Sequence, residues 1–463
     1  MLRISPGGHM TATSPTAASP APSALSRWLD RVGVPVPLAL GYLGLLIFMI
    51  GDGIESGFIT PFMAANGAGD DVHASYAVTV YGVAVMIASW LSGALSQLWG
   101  PRRVMMIGLG IWLVFHVAFL LAAASQNYPM MLAAYGLRGF GYPMFAFGFL
   151  VWITAVAPTV RLGAAVGWFY FAFTGGLPTL GSLVASGTNP VLGHYGTLWL
   201  SLGVIALGGA VCLLGVRERT GYSRMAPEGV KPVQSLMSSM AIAWRNPRVG
   251  MGTVVRIINT APQFGMLVLF PSIFAEDIGF GEGRWLLLVS VIYGTNIFFN
   301  LIFGLVSDRL GWRHTIFWFG ALGCSATILL LYYVPMAFGA DYYWLALIVG
   351  AMYGATLAGF VPISALLPSL APENKGGAMA LLNFGAGGAT FVGPALVSLL
   401  LVPFGAGGVV ISFAVLYLIA AAMTWFLKEP AAPADTAARA RTGDRTATDV
   451  TRETPPTESA SPR

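Results

Sequence analysis

What most constrains this chain is the spacing of its apolar runs. Between short loops that carry nearly all of its charge lie twelve stretches of about 21 to 29 residues that hold very few Asp, Glu, Lys or Arg: 38–64, 75–97, 104–125, 129–156, 161–187, 196–216, 249–275, 285–307, 314–335, 342–370, 376–402 and 406–427. A helix needs about 20 apolar residues to cross a hydrocarbon layer ~30 Å thick. Backbone exposed to lipid must satisfy its hydrogen bonds within its own segment, so helices are the expected spanning element. Composition agrees: 9% of residues are charged, against about 25% in soluble globular chains. The expectation is an all-α polytopic membrane protein with twelve transmembrane helices, surrounded by lipid.

An even number of spans puts both termini on one side, and the basic residues say which. Arg3, Arg27, Arg31, Arg102, Arg103, Arg161, Arg217, Arg219, Arg224, Lys231, Arg245, Arg248, Arg309, Arg313, Lys375 and Lys428 fall on the terminal side. The opposite loops hold Arg284 and the acids Asp70, Asp71, Glu276, Asp277, Glu282 and Asp341. Positive loops stay inside, so both termini are expected in the cytoplasm and the protein in the plasma membrane. The net charge of +5 comes from these loops and not from one basic face, which excludes a nucleic-acid partner. Cys212 and Cys324 lie inside apolar runs, leaving neither a disulfide framework nor a metal site. Segment 1–35 reads as a disordered to amphipathic leader without a signal peptide, with Met10 an alternative start to Met1, and 429–463 reads as a disordered tail.

The longest internal connection, 217–248, divides the spans into two halves, 36–216 and 249–428, six in each. The halves repeat. "GALSQLWGPRR" (93–103) corresponds to "GLVSDRLGWRH" (304–314) at an offset of 211 residues, and "AVAPTVRLGAA" (155–165) to "SLAPENKGGAM" (369–379) at an offset of 214. Two such repeats with a substrate site between them at the midplane are a recurrent transporter plan.

"GLVSDRLGWRH" resembles the signature loop of the major facilitator superfamily, with Gly304, Asp308, Arg309, Gly311 and Arg313 in order. The first copy keeps Gly93, Gly100, Arg102 and Arg103 but has Gln97 and Leu98 where the acid and base belong. "GDGIESGFITPF" (51–62) and "LRGFGYPMFAFGFLVWI" (137–153) resemble the polyol permeases of that superfamily, across about residues 36–428. The resemblance implies the twelve-helix major facilitator fold, a central cavity lined by spans one, four and seven, and uptake of acyclic sugar alcohols together with protons.

Asp52 and Glu55 stand three residues apart in the first span, so they project from nearly one helical face. A charge at the bilayer centre costs ~2.5–3.5 kcal/mol on insertion scales, and such residues find partners or cavities. Arg138 in span four is the partner expected on depth: it and Glu55 are each nine residues from the acidic-side end of their spans, about 14 Å. Glu55 is expected to be paired and Asp52 free to exchange protons; the alternative is an acid fixed by arginine for assembly alone. Gly51, Gly53 and Gly57 bracket the acids and allow bending or close packing.

In the second half, Arg256, Asn259 and Gln263 form one polar stripe on span seven, and Tyr293, Asn296 and Asn300 another on span eight, with Asn383 on span eleven. Neutral donors and acceptors suit a polyol; the alternative is hydrogen bonding between helices. Tyr142 and Tyr353 are the aromatic side chains expected to stack on a carbon skeleton. The expected substrate contacts are therefore Tyr142, Asn259, Gln263, Tyr293, Asn296, Tyr353 and Asn383. His116 has no visible partner and is expected to be structural. Pro178 and Pro394 occupy corresponding spans and suit either kinks or hinges.

No phosphate-binding GxxxxGK[ST] loop, HExxH or GxSxG is present. The expectation is a monomeric secondary transporter, with no cofactor and no enzymatic activity. Export, uptake of another small neutral or weakly acidic solute, and a sensor that has lost flux remain as alternatives.

Overall fold

The structure is a computed structural model that describes residues 24–158, 162–216, 218–225, 240–372 and 375–427. The leader to residue 23, most of the connection between the halves and the tail from 428 lie outside the described residues, as do the side chains of Gly304, Asp308 and Arg309 in the second signature loop.

Among the described residues every regular element is a helix. A short α1 (Ala24–Arg31) precedes α2 (Ala39–Gly53), α3 (Ile59–Met63), α4 (Asp71–Trp99), α5 (Pro101–Ala124), α6 (Tyr128–Arg138), α7 (Gly141–Val156), α8 (Leu162–Thr174) and α9 (Gly181–Gly215). The second half holds α10 (Pro247–Ser272), α11 (Glu282–Leu310), α12 (Trp312–Phe338), α13 (Tyr343–Leu357), α14 (Ile363–Ser369) and α15 (Lys375–Phe426). Nine helical runs among the described residues are long and apolar enough to cross a membrane.

Two of those runs are not single rods. The run Ala164–Gly215 is interrupted by a kink at Gly193, with φ 68°, and Gly377–Phe426 by one at Gly405, with φ 64°. A side chain other than glycine pays a steric penalty in this left-handed region. The two breaks are 212 residues apart, close to the repeat offset. The signature loops show the same correspondence: α4 ends at Gly100 (φ 86°, ψ 138°) and α11 at Gly311 (φ 85°, ψ 139°). Equal backbone geometry at equal repeat positions is what duplicated helix pairs produce.

Packing in the first half is set by close helix contact. Helix α2 lies against α9 and the Gly175–Leu180 turn that precedes it. A Cβ on Gly53 would sit 1.5 Å from the Leu177 carbonyl oxygen, and one on Gly44 2.4 Å from the Cys212 nitrogen. Side chains absent from these positions let the backbones touch, the usual route to helix association in lipid. The halves then meet through α4 against α15 and α9 against α11.

The hydrogen bonds between halves gather toward the face that carries Asp70, Asp71, Glu276 and Asp277. Ser272 Oγ donates to Asp71 (2.6 Å), Ser75 and Ser398 share a hydroxyl bond (2.7 Å), and Trp285 Nε1 donates to the Gly57 carbonyl (2.8 Å). Glu282 of α11 accepts from Asn189 and sits 2.6 Å from His194 Nε2, both on α9. The contacts Ser290 to Thr179 O and Thr390 to Gly82 O, at 3.0 and 3.2 Å, extend the seal inward.

Candidate functional site: a broken first helix and an open polar stripe

Helix α2 stops at Gly53, immediately after Asp52. Residues 54–58 form a turn, with Phe58 at φ −139° and ψ 0°, before α3 begins. The expectation of one continuous helix carrying both acids on one face is therefore corrected. The helix breaks between them because Gly53 lies on the Leu177 backbone and Gly57 gives its carbonyl to Trp285, so the chain follows tertiary contacts rather than the helical ladder.

The break sends the acids to different partners. Glu55 Oε2 accepts from Arg138 Nη1 at 2.8 Å, its Oε1 accepts from Arg138 Nη2, and Oε1 also accepts from the Tyr135 hydroxyl at 3.0 Å. This two-pronged pair is the strong form of an ion pair. Arg138 is fully buried, and Asp52 and Glu55 are 4% and 5% exposed. Aromatic faces surround the guanidinium, with ring centres of Tyr135 at 4.4 Å, Trp112 at 5.0 Å, Tyr81 at 5.5 Å and Phe119 at 5.8 Å. Such faces attract a desolvated cation.

Among the described residues Asp52 holds a single hydrogen bond, from Trp112 Nε1 to Oδ1 at 2.6 Å. An indole N–H only donates, so this bond suits the carboxylate and leaves the second oxygen uncommitted. Among the described residues Glu55 is saturated and Asp52 is not.

His116 does have partners, which corrects the expectation made of it. Its Nε2 is 3.0 Å from the Leu198 carbonyl, and its Nδ1 is 2.6 Å from Arg138 Nη1. A carbonyl oxygen accepts and a guanidinium donates, so the ring is neutral, with the proton on Nε2 and a lone pair on Nδ1 facing Arg138. Trp112 stacks on it with ring centres 4.3 Å apart. Sequence reasoning missed Trp112 and Tyr135 altogether. The available signals were spacings: Trp112 is four residues before His116, and Tyr135 three before Arg138, so each shares a helical face with a residue already singled out.

The second half is arranged differently. The Tyr353 hydroxyl bonds that of Tyr417 at 2.9 Å, and Tyr417 donates to the Asn259 backbone carbonyl at 3.3 Å. Tyr353 is fully buried with its polar tip committed, so its expected role as a substrate contact is withdrawn. Asn296 donates to the Gly354 carbonyl at 3.2 Å and accepts from Asn300 at 3.4 Å; it ties α11 to α13, the structural alternative raised for it.

The α10 stripe stays open. The Asn259 amide, the Arg256 guanidinium and the side chain of Asn383 make no hydrogen bond with a described residue, and Gln263 donates back to the Asn259 carbonyl at 3.1 Å while its own carbonyl has no partner among them. Tyr142 is buried beside Tyr81 and Phe173, with ring centres at 6.5 and 6.1 Å, and Tyr293 is buried on α11; neither hydroxyl has a partner among the described residues.

Of the loop residues, Arg102 donates through Nη2 to the Leu213 carbonyl and lies 5.1 Å from the Tyr222 ring centre, with Arg103 at 5.9 Å from the same ring. A Cβ on Gly93 would meet nothing within 4 Å. Arg313 lies over Trp425 at 5.6 Å. Gly311 makes the left-handed turn already noted.

A buried charge cluster within the first of two packed helical halves, and a polar stripe on α10 in the second, sit among helices long and apolar enough to cross a membrane. The chain belongs to the Major Facilitator Superfamily, which it matches over residues 41–357 and 252–458. It is 43% identical to the α-ketoglutarate permease of Bacillus subtilis over 86% of this chain and 91% of that one. It is 35% identical to the D-arabinitol transporter of Klebsiella pneumoniae over 87% of this chain and 94% of the relative, and 35% identical to the ribitol transporter of the same organism over 84% and 91%. These two place it in the polyol permease branch. The fold matches the inward-open xylose transporter XylE of E. coli with a TM-score of 0.65 at 15% identity, covering 86% of this chain and 97% of the other.

Proposed function

We propose that this protein is a proton-coupled secondary active transporter that imports small oxygen-rich organic solutes by alternating access, sugar alcohols such as ribitol or arabinitol being the first class to consider. The observation that carries the reading is the unequal treatment of the two acids: one locked into a buried ion pair, the other left with one hydrogen bond beside it. Glu55 and Arg138 form the fixed part of the site, and Asp52 carries the proton. Tyr142, Asn259, Gln263, Tyr293 and Asn383 supply donors and acceptors for hydroxyl groups.

The names of the relatives support a small solute, since arabinitol, ribitol and α-ketoglutarate all have five carbons. The α-ketoglutarate permease among them extends the solute from neutral polyols to an oxo acid. Twelve crossings follow if each kinked run counts as two and α11, 29 residues long, spans as well. Counted so, the halves 36–216 and 249–428 each hold six, joined by 217–248, with both termini in the cytoplasm. The seal between halves then lies on the outer side, the arrangement of an importer open to the cytoplasm. Pro178 and Pro394 serve as hinges, and Gly93, Arg102, Arg103, Gly304, Asp308, Arg309, Gly311 and Arg313 as the cytoplasmic gating loops. The chain acts as a monomer in the plasma membrane, without cofactor and without enzymatic turnover.

Uptake into proteoliposomes under an imposed inward proton gradient tests this directly. Labelled pentitol or five-carbon acid should accumulate above equilibrium, and dissipating the gradient should stop accumulation. Asp52→Asn should abolish uphill uptake while leaving counterflow exchange; full accumulation by that variant would remove Asp52 from the coupling role.

A further inference from the structure

Four formally charged side chains lie deep in the spans among the described residues: Asp52, Glu55, Arg138 and Arg256. Glu55 and Arg138 neutralise each other through paired hydrogen bonds. Arg256 has no such counterpart. Its side chain is half-buried and makes no hydrogen bond or ion pair with a described residue. Its stem lies against α15, where a Cβ added to Gly385 would come within 3.0 Å of Arg256 Cγ. Its electrostatic neighbour in the other half is the half-buried phenol of Tyr170 on α8, whose hydroxyl also lacks a partner among the described residues. One turn further along the same face of α10 is the uncommitted Asn259 amide, and another turn on the free carbonyl of Gln263.

Resting on the transport reading above, we propose that Arg256 anchors a carboxylate of the transported solute, so that the substrate class is small organic acids whose hydroxyl or oxo groups are read by Tyr170, Asn259 and Gln263. A planar guanidinium matches a carboxylate with two parallel hydrogen bonds. A neutral polyol can accept hydrogen bonds from it but leaves its charge uncompensated in a medium where that is costly.

The charge count gives this assignment a mechanism. With Asp52 ionised and no solute, two acids and two arginines balance. A proton alone leaves the centre one charge positive, and a carboxylate alone leaves it one charge negative. Proton and carboxylate together restore neutrality. The empty carrier and the doubly loaded carrier are thus the two states that reorient without carrying net charge through the membrane centre, and that is the rule a symporter must obey. No bond between proton and solute is needed; the coupling lies in the net charge of the membrane centre.

The test compares two solutes that differ at one carbon, ribitol and D-ribonate, on the purified full-length protein. Ribonate should bind more tightly than ribitol and raise the melting temperature of the wild type more at equal concentration. Arg256→Gln should weaken ribonate binding about 10- to 100-fold, the loss of a charged hydrogen-bonded partner, and Arg256→Lys should recover part of it. In proteoliposomes, ribonate uptake with one proton should be insensitive to an imposed membrane potential. Equal binding of the two solutes by the wild type, wild-type ribonate affinity in a folded Arg256→Gln, or potential-driven ribonate uptake would each overturn the assignment. Should Arg256→Gln not fold, the wild-type comparison alone decides. Accumulation of ribitol without ribonate refutes the role of Arg256 and leaves the transport reading standing; accumulation of neither by well-folded protein refutes that reading as well.

Discussion

The two halves descend from one plan and treat charge in opposite ways. In the first half, Arg138 is wrapped by Glu55, His116, Tyr135 and Trp112, and among its polar nitrogens only Nε is left without a partner among the described residues. In the second half, Arg256 sits on a face where the Asn259 amide and the Gln263 side-chain carbonyl have no partner among the described residues. On this contrast rest the two proposals above, that the first charge serves architecture and coupling and the second a ligand. A saturated site gains nothing from a solute, whereas an unsaturated one recovers on binding what it lost when the protein folded.

Three substitutions probe that contrast, the largest effect first. Removing one member of a buried ion pair strands the other and costs about 3–5 kcal/mol, so Glu55→Gln should lower thermal stability sharply, measurable by melting in detergent. Arg256→Gln should not, since no described partner is stranded; comparable losses for the two variants would erase the distinction between halves. Trp112→Phe removes the donor to Asp52 and keeps most of the packing. It should cost about 1–1.5 kcal/mol and displace the pH dependence of uptake, because it deletes the hydrogen bond that Asp52 receives. An unshifted profile would detach Trp112 from the proton site.

The smallest of the destabilising effects lies at the rim that carries Asp70 and Asp71. Asp70 caps α4 through the His73 amide at 2.7 Å, while the matching start of α11 follows Gly281 with no side-chain cap. That amide, ahead of the His73 side chain, holds the Asp70 carboxyl below its ordinary 3.8. A depressed folded value means the cap stabilises above the unfolded carboxylate's range and fades as pH falls through the folded value. Asp70→Ala should therefore cost about 1 kcal/mol at neutral pH and nothing in strong acid; an equal cost at both would deny the carboxylate its role.

Hydropathy and repeat offsets made the helical plan legible, because each span must be apolar whatever its neighbours are. The Glu55 and Arg138 partnership was legible too, since depth along a helix follows from residue count and a buried cation has few acids to choose from. Trp112 and Tyr135 were not, because an aromatic that packs and one that aims an N–H or O–H at a carboxylate look alike in sequence. Tyr353 failed for the converse reason: only the fold shows Tyr417 arriving to take its hydroxyl. The break in α2 was hidden as well, since the glycines that permit it give no sign of the Leu177 backbone that demands it.

One consequence of that break concerns timing. Trp285, from the opposite half, holds the Gly57 carbonyl that the interrupted helix leaves free. The peptide segment bearing both acids is thus also the segment gripped when the outer face is shut. On the transport reading proposed above, the bond from Trp285 and the turn between the two acids would have to be released together, so the gate and the proton site would share one piece of backbone.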